Sequence, residues 1–203
     1  MGGSFTVVKI GGSAAQNRDR LRRILGALAA CRETRIVVVP GGGVFADAVR
    51  EAQSALGFKD ALAHGLALDA MGQMAQVLAA LAPGLTVASD LAGVAAAHRA
   101  GAVPVWDPAA LRAGHPDIPE TWSVTSDSLA LWLAAALGAE RCVLVKSADA
   151  PKGASPAQLA ALGIVDAAFP AFAERFKGEI VLHGPSAGDD PARFFALCED
   201  QAA

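Results

Sequence analysis

Charge is scarce in this chain: only 18% of its 203 residues are Asp, Glu, Lys or Arg, and the formal net charge is −3. Without a basic field, nucleic-acid binding through broad phosphate neutralisation is excluded. Aromatic residues are also few, at 5%, and Ala is abundant, so helices are expected to pack closely through small side chains. The cysteines are three, Cys31, Cys142 and Cys198, with no CxxC or Cys/His spacing. They read as buried or free thiols of a reducing compartment, and the chain presents no metal-ligand cluster. The longest apolar run, Leu129–Leu137, is too short to span a bilayer. No charged-then-apolar export pattern opens the chain, because Thr6–Ile10 already reads as a strand. These absences predict a cytoplasmic protein with neither membrane nor nucleic-acid partner.

What is present is apolar: 53% of the residues are hydrophobic, enough for one well-packed α/β domain over residues 1–203. Short β-branched runs at Phe5–Ile10, Arg35–Val39, Leu85–Ala88, Ala102–Val105, Arg141–Lys146 and Glu179–His183 predict strands. Between them, helical spacing predicts helices at Arg18–Cys31, Val44–Leu56, Asp60–Leu81, Asp90–Ala100, Ser126–Leu137 and Ser155–Leu162. A last helix is expected at Asp190–Glu199. Strand and helix alternate, the pattern of a mostly parallel sheet covered on both faces. A loop rich in Pro, His and Asp at Asp107–Glu120 is the candidate internal boundary or mobile flap.

In open parallel sheets ligands bind at the carboxyl ends of the strands. Three strands here end in unusual chemistry: Lys9-Ile10-Gly11-Gly12-Ser13, Pro40-Gly41-Gly42-Gly43 and Lys146-Ser147-Ala148-Asp149. The chain has only five lysines, and two of them, Lys9 and Lys146, sit in or at the end of apolar strands. A lysine so placed must snorkel, pair or meet an anion, because an unpaired buried charge is costly. A phosphate chain suits the compact ammonium charge. Reaching solvent from a strand edge is the plainer alternative. Gly11-Gly12-Ser13 can bring backbone N–H groups close to phosphate oxygens, and Gly41-Gly42-Gly43 leads into a helix N-terminus that favours an anion. Taken singly, each glycine cluster is explained as well by a tight turn. Neither GxxxxGK[ST] nor GxGxxG is present. Thr125-Ser126-Asp127 opens a helix; N-capping by Thr125 or Ser126 explains it simply, whereas the functional reading has Asp127 hold the lysines toward phosphates. Phosphoryl transfer depends mainly on such positioning and charge stabilisation.

The segments VVKIGGS, IVVVPGGGVFADAVR and VTSDSLALWLAAALGAERCVLVKSAD together resemble the amino acid kinase family. The resemblance implies a three-layer αβα sandwich around an open, mainly parallel sheet of about eight strands. The acceptor would lie in the half up to about residue 115 and ATP in the remainder. Lys9, Asp127 and Lys146 would be catalytic, with Asp127 organising the lysines. Gly11, Gly12, Ser13, Ser126, Lys146, Ser147 and Asp149 would bind the nucleotide, and Gly41, Gly42, Gly43 and Thr125 the acceptor. Mg²⁺ would arrive with ATP, and a homo-oligomer is expected. Two segments depart from the family pattern. TDVDG is replaced by VKSADAPKG, and the GGM…K element that carries a second lysine is not visible. Lys146 takes that place, with Lys152 and Lys177 as alternatives.

AHGLALDAMGQMA, ETWSVTSDSLALWLA and GIVDAAFP are similar to the branch of this family that serves methanofuran biosynthesis. That likeness implies a small phosphorylated acceptor, (5-aminomethylfuran-3-yl)methyl phosphate. On the long helix, Asp69 and Gln73 share a face and could meet that acceptor. His64 stands about 140° away on the wheel and is a separate candidate for binding the acceptor. Arg50 is a candidate clamp for the acceptor phosphate, with exposed salt-bridging as its alternative. Uridylate-type acceptors, or a non-catalytic oxyanion-binding protein on the same fold, are the competing readings. Trp106, Trp122 and Trp132 read as core or interface residues rather than stacking platforms.

Overall fold

Val7, Val8, Ile36–Val39 and Val143–Val145 are almost fully buried, as continuous β-branched runs are when a strand is covered on both faces. They form the centre of a parallel sheet. The computed structural model describes residues 4–12, 17–31 and 34–187. Ser13, Cys198 and the helix expected at Asp190–Glu199 lie outside the described residues. The strands are β1 (Phe5–Ile10), β2 (Arg35–Pro40), β3 (Leu85–Ala88), β4 (Val103–Trp106), β5 (Arg141–Val145) and β6 (Glu179–His183). They lie in the order β3-β4-β2-β1-β5-β6 with every neighbouring pair parallel.

The helices are α1 (Arg18–Ala30), α2 (Gly43–Leu56), α3 (Asp60–Leu81), α4 (Leu91–Arg99), α5 (Ser126–Ala136), α6 (Pro156–Ala161) and α7 (Phe169–Arg175). Local chemistry sets several ends. The Asn17 side chain accepts from Arg20 N and Asp90 from Gly93 N, Ser155 and Gln158 form a capping box, and Gly57 closes α2 at φ 72°. None of the described helices is long and apolar enough to cross a membrane.

The sheet separates two cores. On one face Val7, Val39 and Leu144 pack with Leu129 and Leu133 of α5 and Phe169 and Phe172 of α7. On the other, Val8, Val38 and Val143 pack with Leu21, Ile24 and Leu28 of α1 and with Met74 and Leu78 of α3. Side chains alternate across a strand. Lys9, two residues after Val7, and Lys146, two after Leu144, are therefore directed to the α5 face. The register aligns Ile10 with Pro40 and with Val145, so the chain leaves β1, β2 and β5 side by side. That alignment places the functional groups.

Six strands among the described residues match the six runs read from the residues and correct the eight implied by family resemblance. Asp107–Glu120 adds no ladder: it holds a 3₁₀ helix at Pro108–Ala113 and a single antiparallel bridge, His115 to Ile118. Pro108, Pro116 and Pro119 have no N–H to donate to a strand partner. The segment is strapped to α3 through Arg112 and Asp69, 2.5 Å apart, and its Asp107 side chain caps Ala109 N. His115 meets the Trp132 ring edge-on at 5.0 Å, and Trp132 stacks on Trp106 at 6.0 Å.

Phe169 is fully buried between α7 and α5. Phe169→Ala is expected to lower the unfolding free energy by about 3–5 kcal/mol, read as a lower urea midpoint at unchanged slope.

Candidate active site

Lys9 and Lys146 converge on one carboxylate. Lys9 Nζ stands 2.7 Å from Asp127 Oδ1 and Lys146 Nζ 2.5 Å from Asp127 Oδ2. Lys9 and Asp127 side chains are 7% exposed and Lys146 13%, so the triad is nearly dry. The Lys146 contact is a directed hydrogen bond. Lys9 meets Oδ1 as a close ion pair.

Burial alone would push the Asp127 carboxyl up, but Lys9 and Lys146 together overcome it and hold it below the usual carboxylate range. Burial lowers the Lys146 ammonium from its ordinary value, and Lys9 adds to that. Asp127 and Asp166 act in the opposite sense. Two ammonium groups face the single Asp127 charge, leaving a positive excess at the sheet's carboxyl edge that an anion would relieve.

Beside the triad the loops after β1 and β2 pack backbone on backbone. A Cβ on Gly12 would fall 2.4 Å from Gly43 Cα, and one on Gly41 would fall 2.7 Å from Gly12 N. Gly43 also takes a left-handed φ of 53°. Only glycine fits this junction. Gly41 N donates to Ile10 O at 2.8 Å and Gly11 N to Val145 O at 3.4 Å. The Gly11 amide thus belongs to the sheet, which qualifies its expected phosphate contact.

A cavity of about 410 Å³ adjoins the glycine junction. Gly12, Gly41–Gly43, Thr125 and Ser126 face it, along with Arg50, His64 and Trp122. The Arg50 guanidinium lies 4.3 Å over the Trp122 ring and 3.3 Å from Asp47. Trp122 is fixed in turn, its Nε1–H donating to Gln53 Oε1 at 2.5 Å. Gln53 Nε2 donates to Asp60 Oδ1 at 2.8 Å. Burial lowers the His64 imidazole below its usual range, against a backbone bond at Thr121 and the charge of Glu120 that raise it.

The other expected residues lie elsewhere. Asp69 is committed to Arg112 and Gln73 is exposed; neither lines the cavity. Helical spacing put them on one face, but that face serves the strap and solvent. Ser147 is exposed, and Asp149 accepts from Ser186 N and Oγ at 3.0 and 2.7 Å, which ties the loop after β5 to the turn after β6. Those bonds hold the Asp149 carboxyl below its usual range. Of the alternatives to Lys146, Lys152 is exposed and Lys177 donates to Glu174 O at 3.2 Å.

The N-cap reading of Thr125 and Ser126 needs correction: the N-cap residue Thr125 makes no side-chain capping bond. Asp166 caps α5 instead. Its Oδ2 accepts from Thr125 N, Thr125 Oγ1 and Ser128 N at 2.9, 2.8 and 3.0 Å, and its Oδ1 from Ser128 Oγ at 2.5 Å. The sequence held one signal for it, a lone acid between Val165 and Phe169, both buried.

The profile of the amino acid kinase family matches residues 4–150. A (5-aminomethylfuran-3-yl)methyl phosphate kinase of Methanocaldococcus jannaschii is 28% identical over 182 residues, which span 84% of this chain and 83% of that one. Uridylate kinase from Archaeoglobus fulgidus superposes with a TM-score of 0.67 at 19% identity, over 93% of this chain and 95% of that one. UMP kinase from Ureaplasma parvum gives 0.66 at 14% identity over 95% of each chain. At these identities the structural likeness establishes the fold.

Asp127→Asn leaves two buried ammonium groups without their counter-charge, and a loss of about 3–5 kcal/mol of stability is expected at neutral pH. The folded carboxyl lies below its ordinary value of 3.8, so the wild-type advantage is complete above that value. It is lost as pH falls through the folded value. Denaturant unfolding of both proteins across the acid range measures it.

Proposed function

We propose, from the premise that this chain belongs to the amino acid kinase family, that it transfers the γ-phosphoryl group of ATP to a small phosphomonoester. (5-Aminomethylfuran-3-yl)methyl phosphate is the acceptor best supported, and the products would be its diphosphate and ADP. The observation that carries the reading is the Lys9–Asp127–Lys146 bridge beside a glycine junction and a small cavity.

A phosphomonoester oxygen is already anionic near neutral pH, so the acceptor needs no general base. Attack on the γ-phosphorus forms the new P–O bond as the bond to the β-phosphate oxygen breaks, and ADP leaves with that electron pair. The chain's task is to align the two phosphates and to meet the charge on the transferring group. Lys9 and Lys146 supply that charge, and Asp127 sets their separation without leaving the site neutral. Mg²⁺ bound to ATP would neutralise the remaining phosphate charge. Among the described residues no group of three or more His, Cys, Asp or Glu is placed to hold a metal, so ATP oxygens are the expected ligands.

Arg50, flattened on Trp122 at the cavity with one edge donating to Asp47, suits the acceptor phosphate, because stacking keeps the guanidinium plane fixed and its remaining N–H groups at the edge. The cavity volume of about 410 Å³ lies toward the lower end of ligand sites and suits a small acceptor. The sequence likeness to the Methanocaldococcus enzyme points the same way.

ADP release with ATP and Mg²⁺ against a panel of phosphomonoesters tests the assignment. Turnover of the furan phosphate and not of UMP is expected. UMP turnover would select a uridylate kinase, and ATP binding with no turnover a binding protein. Lys9→Ala should lower kcat by roughly 100- to 1000-fold, with a much smaller change in ATP affinity. Arg50→Ala should raise the acceptor KM about tenfold or more at a kcat that changes far less. Steady-state kinetics on both substrates separates the two.

A further inference from the structure

Asp127 can bridge two lysines only if the first turn of α5 stays where it is, and the structure shows what holds that turn. Helix N-termini leave backbone N–H groups unpartnered, and a cap ordinarily comes from the residue at the helix start. Here Thr125 supplies none. The cap is carried by Asp166, from the segment between α6 and α7, whose carboxylate accepts four bonds on both flanks of Asp127. Two further contacts seat that segment: Ala168 N donates to Ser123 O at 2.9 Å, and Phe169 is buried against α5.

Resting on the phosphotransferase reading above, we infer that Asp166 is a positioning residue for phosphoryl transfer, which fixes the α5 turn that carries Asp127 and so sets where both lysines stand. Thr125 and Ser126 of the same turn line the acceptor cavity, so one carboxylate holds the lysine bridge and one cavity wall in register. Charge supports the geometry. The groups acting on the Lys146 ammonium are Lys9 from β1, Asp127 from α5 and Asp166, and only the two carboxylates favour its charged form. Asparagine at 166 would turn an N–H₂ group toward donors and remove that charge.

The test compares wild type with Asp166→Asn and Ser128→Ala, which removes only the bond to Oδ1. A displaced reacting group costs on the order of 100-fold. Asp166→Asn is expected to lose about that much kcat, with the ATP KM changing by less than about threefold. Ser128→Ala should lose less, and the double variant should fall short of the product of the two, since both act through one clamp. The alkaline limb of kcat should move to lower pH in Asp166→Asn. A Lys146 side-chain NMR titration, which needs no acceptor, should show the same downward shift. A folded Asp166→Asn protein with wild-type kcat and an unmoved Lys146 titration would overturn the inference. If Asp166→Asn does not fold, wild-type kcat in Ser128→Ala overturns it, and reduced kcat at unchanged ATP KM supports it. Should wild type turn over no phosphomonoester, the phosphotransferase reading fails, and the Lys146 titration still decides whether Asp166 acts on the lysines.

Discussion

The site depends on a single carboxylate holding two positive charges together out of water. Coulomb repulsion between ammonium groups at this depth would otherwise drive one to lose its proton or turn to solvent. Asp127 opposes both, at the cost of its own desolvation, which the lysines offset. The arrangement is stable only as a unit, and it still leaves positive charge at the strand ends.

The sheet makes that unit possible. Strand alternation directs Lys9 and Lys146 to the face covered by α5, and the parallel register of β1 and β5 sets Lys9 beside Leu144, two residues short of Lys146 on that face, so one carboxylate reaches both. The helix then contributes an acid in its first turn, where the backbone dipole already favours negative charge. None of these is a special device; their coincidence at one point is what produces a site.

Much of this was legible in the residues. Two lysines among five in apolar strands, each followed by small polar or glycine residues, could be read without coordinates, and all six strands were visible as β-branched runs. Contacts between segments distant in sequence were not. Asp166 lies 38 residues beyond Ser128, and no periodicity links a lone acid to a helix that begins so far upstream. Asp69 and Gln73 show the converse: helical spacing correctly paired them on a face but could not say that Arg112 would claim it. The prolines of the strap show a third case, in which residue chemistry outweighed family resemblance and kept the sheet at six described strands.

The packing of Gly12 against Gly41 and Gly43 reaches beyond the absence of side chains. Two loops whose main chains touch cannot slide past each other without a clash or a void, so the rim where β1 and β2 end behaves as one inflexible block. Altering the shape of the adjoining cavity would then fall to α2 and α3, whose side chains can be exchanged. A change in either loop would be felt in the other.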